Sequence, residues 1–232
     1  MTEIIPWIQR PDTMRIAFAG SAGTGKTTLA LAVNEHLGFP TVMNIARDWM
    51  KENKVNIHDV HGRALMKAQM EIFKKKTAME AAHKQFIADR SILDAMCYAL
   101  NYLSNEEEMQ RGLMDYVYAC TRHASATYDV IFTLPYGVIP FEEDGTRKPM
   151  PAHQITIHML IEHAVALGIG AYHVHQVQSM SLEDRVAEVL HIVDQLTIYK
   201  KEYESKELED KALKDEIGDI VSRHKLAPKG VQ

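Results

Sequence analysis

At 232 residues, with 46% hydrophobic and 25% charged side chains, the chain has the make-up of one ordinary α/β domain and enough apolar material for a sizeable core. A formal net charge of -5 and a pI near 6.2 give it no general electrostatic attraction to nucleic acid and favour a small partner over a polymer. No apolar run approaches the roughly 18 residues of a membrane span, no leader-like stretch opens the chain, and Cys97 and Cys120 lack CxxC spacing; a cytoplasmic protein with buried, reduced thiols is expected.

Residues 1–13, with Trp7 between Pro6 and Pro11, read as an extended N-terminal arm. Met14 to Ala19 is a short apolar run ending at glycine, and Lys26 to Leu37 repeats Leu29, Ala30, Val33 and Leu37 at helical spacing before a Gly38 stop. The pattern predicts strand, loop, helix. Thr41 to Ala46 is expected as a second strand, residues 58–84 as a long Lys-rich helix, and Phe86 to Ala88 as a third, buried strand. Helices are expected over Ile92–Leu103 and from about Glu106 to Ala124, then a fourth strand over Tyr128–Leu134 closed by Pro135. Residues 136–151, rich in Pro, Gly and charge, have the composition of a lid. A helix over 152–167, a strand over Ala171–Val177, and a helix opened by Ser181 and Asp184 and running to about Leu196 complete a domain spanning 14–196. Residues 197–232, dense in Lys and Glu, read as a solvated helix or tail. Strands alternating with helices imply a mainly parallel five-stranded sheet with helices on both faces, and ligands of such sheets bind at the carboxyl ends of the strands.

The strongest motif lies after the first strand. Gly20-Ser21-Ala22-Gly23-Thr24-Gly25-Lys26-Thr27 fits G-x-x-x-x-G-K-[ST] between an apolar strand and an amphipathic helix, the context a phosphate-binding loop requires. Glycines let backbone N–H groups through Thr28 curl toward phosphate oxygens, and the helix adds the positive end of its dipole. Lys26 supplies charge at the β- and γ-phosphates of ATP, and the Thr27 hydroxyl is the expected Mg²⁺ ligand. These features define the P-loop NTPase fold, and the remaining motifs select its branch. Hydrolytic ATPases of the motor and AAA types need a strand-terminal acid followed by Glu, whereas Phe86-Ile87-Ala88-Asp89 is followed by Arg90 and Ser91. GTPases read guanine with Asn-Lys-x-Asp, and Asn53-Lys54 continues to Asn56 instead. Asp89-Arg90-Ser91 fits the kinase branch, where Asp organises Mg²⁺ or takes the hydroxyl proton and Arg contacts a phosphate. The alternative role for the tripeptide is a helix cap. Arg147 and Lys148 beside the Gly145 turn would let the lid carry positive charge over the transferring group.

Five segments, in order and spacing, resemble the ribosylnicotinamide-kinase domain of bacterial NAD-regulator proteins and related bacteriophage kinases: the P-loop; Ala46-Arg47-Asp48; Gln69; Asp89-Arg90-Ser91 with Leu93 and Asp94; and Asp144-Gly145-Thr146-Arg147. The resemblance spans about residues 14–195. It implies an acceptor pocket formed by Asn44, Arg47, Asp48, Gln69 and Arg90, with Arg147 closing over the transferred group. In such proteins the second segment commonly reads Glu-x-Ala-Arg, so Asn44 replaces a carboxylate and leaves Asp48 or Asp89 as the base.

Lys74-Lys75-Lys76 reads as a solvated face, Trp49 as core edge, the thirteen methionines as packing, and the twelve histidines as surface or packed groups without a zinc signature. The resulting expectation is ATP- and Mg²⁺-dependent transfer to a nucleoside, nucleotide or nucleoside-like hydroxyl, with Lys26, Asp89, Arg90 and Arg147 at the chemistry. Two alternatives stay open: a kinase of a hydroxymethylated base within phage DNA, and a nucleotide-binding sensor with little turnover.

Overall fold

The computed structural model describes residues 13–43, 45–139, 151–171 and 173–225, with the backbone alone for 212, 213 and 215–225. Five parallel strands run in the order β2-β3-β1-β4-β5: β1 Arg15–Ala19, β2 Thr41–Val42, β3 Phe86–Ala88, β4 Val130–Thr133 and β5 His173–Gln176. Seven helices accompany them among the described residues: α1 Lys26–Leu37, α2 Ile45–Asn53, α3 Gly62–Ala81, α4 Ile92–Leu103, α5 Gln110–Thr127, α6 Pro151–Ala166 and α7 Leu182–Lys225.

The strands alternate their apolar residues between two cores, as a sheet buried on both faces demands. Ile16 and Phe18 of β1, Ile87 of β3 and Val130 and Phe132 of β4 pack with Leu29, Ala30 and Val33 of α1 and Val186, Val189 and Val193 of α7. Ala17 and Ala19, Phe86 and Ala88, and Ile131 face the opposite way, toward α3, α4, α5 and α6. Cys97 and Cys120 belong to this second core as free, buried thiols, and burial pushes both pKa values up. Trp49 also packs there, its indole N–H donating to Glu71 at 2.9 Å.

Several boundaries differ from expectation. β2 stops at Val42, and Ile45 and Ala46 open α2 instead. Ile45 and Trp49 recur at helical spacing on a buried face, so the second core claims them for a helix. The predicted 58–84 helix begins as a 3-10 turn at Ile57–Asp59 capped by Asn56, with α3 following from Gly62. β5 is shorter than Ala171–Val177, and α5 runs on to Thr127. α7 continues past Leu196 in one helix of 44 residues. Lys200, within the stretch read as solvated, is fully buried: its ammonium pairs with Asp129 at 3.0 Å and donates to the Thr13 carbonyl at 2.9 Å. The largest correction concerns Lys76, which is buried rather than part of a solvated lysine face. Among the described residues no helix is long and apolar enough to cross a membrane.

Candidate active site

β1 lies between β3 and β4, so the loop that leaves it emerges where the chain crosses from one half of the sheet to the other. That loop is Gly20 to Gly25, and it runs directly into α1. Gly20 has φ +152°, and a Cβ there would stand 3.0 Å from the Leu134 carbonyl, so the approach to the end of β4 admits only glycine. Gly25 is left-handed at φ +84° and occupies the N-cap of α1 without a side-chain cap, which turns the first helical amides toward the loop's interior. Lys26 is buried with its ammonium inside this curl, donating to the Gly20 carbonyl at 2.7 Å, the Ser21 carbonyl and the Thr24 hydroxyl at 3.1 Å.

The second half of the site comes from the end of β3. Thr27 donates its hydroxyl proton to Asp89 Oδ2 at 2.8 Å, bringing together two residues that the sequence reading joined only through a shared metal. Asp89 is buried, and among the described residues its other oxygen, Oδ1, has no hydrogen-bond partner, nor has the buried Ser21 Oγ on the loop itself. A carboxylate held by one oxygen, with the second presented beside a Thr hydroxyl at a phosphate loop, is the donor set Mg²⁺ takes when phosphate oxygens and water supply the rest. Thr27 and Asp89 therefore fit the ion. Among the described residues no cluster of three or more His, Cys, Asp or Glu could hold a metal by protein ligands alone.

Ser91 does cap α4, through a capping box with Asp94. Asp94 also does more than cap. Its Oδ2 accepts from the Ser91 amide at 3.0 Å and the Ser91 hydroxyl at 2.8 Å, its Oδ1 accepts from the Gly20 amide at 3.2 Å, and Arg90 lies 3.6 Å away. One buried carboxylate thus ties the start of the P-loop to the loop after β3. Arg90 places its guanidinium 5.7 Å above the Tyr98 ring. Burial works against its charge, but Tyr98, Asp94 and Asp89 outweigh that and raise its pKa, so it stays a cation.

Behind this loop sits a network that sequence reasoning missed. Glu80, fully buried, pairs with the Lys76 ammonium at 2.8 Å, accepts from the Tyr128 hydroxyl at 2.8 Å and contacts His123 Nε2 at 2.5 Å. Lys76 donates also to the Arg90 carbonyl at 2.6 Å, and the Tyr128 hydroxyl accepts from the Ile92 amide at 2.9 Å. Both arms of the network therefore grip the backbone on either side of Ser91. Burial alone would raise the Glu80 pKa, yet the Lys76 charge and the His123 and Lys76 hydrogen bonds bring it below the ordinary value. The i,i+4 spacing of Lys76 and Glu80 was the available signal, but their burial depends on Tyr128, far away in the chain.

The other expected residues are dispersed. Arg47 and Asp48 lie half-buried on α2, just after β2; Gln69 is buried on α3, where the Tyr116 hydroxyl approaches its Oε1 at 3.5 Å. Asn44 and Arg147 lie outside the described residues, as do 140–150 of the expected lid. Residues just before that stretch are described: Tyr136, Gly137 and Ile139, with the buried Gln154 of α6, face Ala22, Gly23 and Thr24 across a cleft of about 210 Å³. Beyond Arg90, the Tyr102 hydroxyl bridges His58 Nδ1 at 2.8 Å and His153 Nε2 at 3.2 Å, fastening α6 and the 3-10 turn to α4. Burial lowers the pKa of both histidines.

A family model described as an AAA domain matches residues 15–185. The chain belongs to that family. The matched span runs from β1 into the first turn of α7 and includes the P-loop and the Asp89-Arg90-Ser91 loop. Solved structures agree on the fold. The deoxyadenosine kinase from M. mycoides, with dCMP and dCDP bound, superposes with a TM-score of 0.60 at 15% identity, over 79% of this chain and 100% of the other. A NadR protein in complex with NAD and AMP-PNP gives 0.55 at 16% identity, over 81% of this chain but 51% of the other, so this chain spans about half of that protein. Shikimate kinase from Acinetobacter baumannii gives 0.50 at 11% identity over 81% and 96%. No curated protein matches the sequence. The fold is thus that of the P-loop kinases, and within it Asp89 is followed by Arg90 where a hydrolytic AAA ATPase would carry Glu.

Proposed function

We propose that this protein is a kinase that transfers the γ-phosphoryl group of ATP, with Mg²⁺, to a hydroxyl of a nucleoside, nucleotide or nucleoside-like acceptor. The observation that carries the reading is the 2.8 Å contact between Thr27 Oγ1 and Asp89 Oδ2 beneath an intact P-loop, with Asp89 Oδ1 left without a partner. Mg²⁺, when bound, supplies positive charge to the β- and γ-phosphates and orients them for in-line attack. The protein's own groups do the remaining work. Lys26 exchanges its loop carbonyls for phosphate oxygens, a swap of neutral acceptors for charged ones that favours the bound state. The amides at the start of α1 hold the phosphate chain. Arg90, kept cationic by its neighbours, contacts the acceptor or the transferring phosphoryl group, and Asp89 or Asp48 takes the acceptor's hydroxyl proton.

The acceptor class rests on the company of the fold. The deoxyadenosine kinase and the NadR protein, whose solved structures hold nucleotides, superpose over about four fifths of this chain, which favours a nucleoside-like acceptor lying against Arg47, Asp48, Gln69 and Arg90. Arg147 is assigned to the same chemistry on the resemblance alone. The test is a panel of deoxynucleosides, ribonucleosides, ribosylnicotinamide, monophosphates, shikimate and hydroxymethylated DNA, each incubated with γ-labelled ATP and Mg²⁺. Label on a nucleoside or nucleotide supports the proposal. Label on DNA or shikimate alone, or release of inorganic phosphate with no labelled acceptor, refutes it.

A further inference from the structure

Arg185, the fourth residue of α7, is a large buried cation that none of the motifs accounts for. Only 2% of it is exposed. Its Nε donates to the Ser179 carbonyl at 2.8 Å, which fixes the plane of the guanidinium, while Nη2 is buried without a hydrogen-bond partner among the described residues. Glu188, the acid whose charge reaches Arg185, makes its own hydrogen bonds elsewhere: it accepts from the Gln178 amide at 3.0 Å, the Ser179 amide at 2.9 Å and His175 at 2.6 Å, while the adjacent Asp184 accepts from the Ser181 hydroxyl at 2.7 Å. A guanidinium taken out of water with a donor unsatisfied is costly, and it is retained where an anion completes it.

The direction in which Arg185 points identifies that anion. Its Nη1 lies 3.6 Å from where a Cβ on Gly25 would stand, so the guanidinium lies against the last glycine of the P-loop, next to Lys26. Ile139 approaches the same glycine, its Cδ1 2.8 Å from that position. Among the described residues, three buried polar atoms at or beside this loop lack a hydrogen-bond partner: Ser21 Oγ, Asp89 Oδ1 and Arg185 Nη2. Asp89 is the acid among them, and it fits a metal; Arg185 is the base, and it fits phosphate. Its planar fork of donors matches phosphate oxygens in a way a lysine does not. Glu188 has a supporting role, because it grips the amides of the loop whose Ser179 carbonyl orients Arg185.

We propose that Arg185 is a phosphate-binding residue of the nucleotide site, donating from its Nη edge to the phosphate chain of ATP beside Gly25 of the P-loop. The assignment rests on the kinase reading for the identity of the nucleotide, and on the geometry of Arg185 and Gly25 for the contact.

The experiment compares wild type with Arg185→Met and Arg185→Lys by calorimetric titration with ATP, ADP and adenosine, alongside melting curves of the free proteins. Loss of a charge-assisted hydrogen bond predicts ATP and ADP affinities weakened about ten- to hundred-fold in Arg185→Met, less in Arg185→Lys, and adenosine affinity unchanged. The melting temperature of free Arg185→Met should equal or exceed that of wild type, because a buried charge with an unsatisfied donor has been removed. A role in packing alone would give the reverse pattern, a lower melting temperature with ATP affinity within twofold of wild type, and would overturn the proposal. Equal weakening of adenosine and ATP would overturn it too, by moving the contact to the base or sugar. Should Arg185→Met fail to fold, Arg185→Lys and Arg185→Gln carry the same ATP-against-adenosine comparison. Wild-type protein that binds no ATP would overturn the kinase reading and this assignment together. Wild type that binds and transfers while the Arg185 variants match it would overturn this assignment alone.

Discussion

Replacing Glu80 by Gln tests whether the buried charge network behind the Asp89-Arg90-Ser91 loop acts as a unit. The amide is nearly isosteric and can still accept from the Tyr128 hydroxyl, so packing and one hydrogen bond survive. What is lost is the negative charge facing the Lys76 ammonium at 2.8 Å and His123 Nε2 at 2.5 Å. Lys76 is 4% exposed, and its remaining contact is the Arg90 carbonyl at 2.6 Å, so it becomes a buried, uncompensated cation. Removing one partner of such a pair costs about 3–5 kcal/mol, whereas replacing both by apolar or neutral groups is often near neutral. Urea denaturation of Glu80→Gln, Lys76→Met and the double variant measures the coupling directly. The singles should each lose about 3–5 kcal/mol and the double clearly less than their sum. Surviving turnover should fall in the singles with ATP affinity nearly unchanged, since the network grips the Arg90 carbonyl and the Ile92 amide rather than the P-loop. Strict additivity, or a neutral Glu80→Gln, would refute the claim that these charges are coupled.

Gly25→Ala should abolish nucleotide binding at a folding cost of about 1–2 kcal/mol, because φ is +84° and the added methyl meets Ile139 Cδ1 at 2.8 Å; titration with ATP and a urea melt check the two parts. Asp89→Asn should keep ATP affinity within about tenfold while removing most turnover, read from steady-state rates across a Mg²⁺ series. Acid stability should depend on Glu188: burial opposes its ionisation, but the Gln178 and Ser179 hydrogen bonds and His175 hold its pKa at about 2. A carboxylate depressed in the folded state stabilises above its unfolded pKa, so that contribution is lost as pH falls from about 4.5 toward 2, and Glu188→Gln should flatten this part of the pH–stability curve. His58 and His153 act one step higher. Their folded pKa values are lowered, chiefly by burial, so stability is full above the ordinary value of 6.5 and falls as pH drops below it, an effect the double replacement of His58 and His153 by Gln should remove in pH-dependent melting.

What could be read from the sequence was local. The P-loop motif carried its own context, an apolar strand before it and an amphipathic helix after, and the structure reproduces both at Arg15–Ala19 and Lys26–Leu37. Ser181 and Asp184 announced the start of α7 by their spacing, and the Asp184 amide donates to the Ser181 hydroxyl at 3.1 Å. β3, at three residues, was legible only because Asp89-Arg90-Ser91 follows it. Ile45 and Ala46 misled because an apolar pair after a strand-like run has no period of its own. Contacts that assemble the site join distant segments: Thr27 with Asp89, Gly20 with Asp94, Arg185 with Gly25. No spacing rule links such pairs, and the parallel order β3-β1-β4 is what brings them to one edge. Lys76 was misread for the same reason, since a lysine in a Lys-rich run is normally solvated and only the tertiary position of Glu80 and Tyr128 buries it.

In the proposed function, Lys26 and the Thr27–Asp89 pair perform phosphoryl transfer rather than nucleotide sensing or hydrolysis. Single-turnover transfer of label from γ-labelled ATP to a nucleoside acceptor, in wild type, Lys26→Ala and Asp89→Asn, tests it most directly. Wild type should give a labelled nucleoside product, and each variant a rate lower by at least about 10²–10³ as charge at the transferring group and its metal is lost. ATP consumed without a labelled nucleoside, or either variant retaining half the wild-type rate, would contradict it.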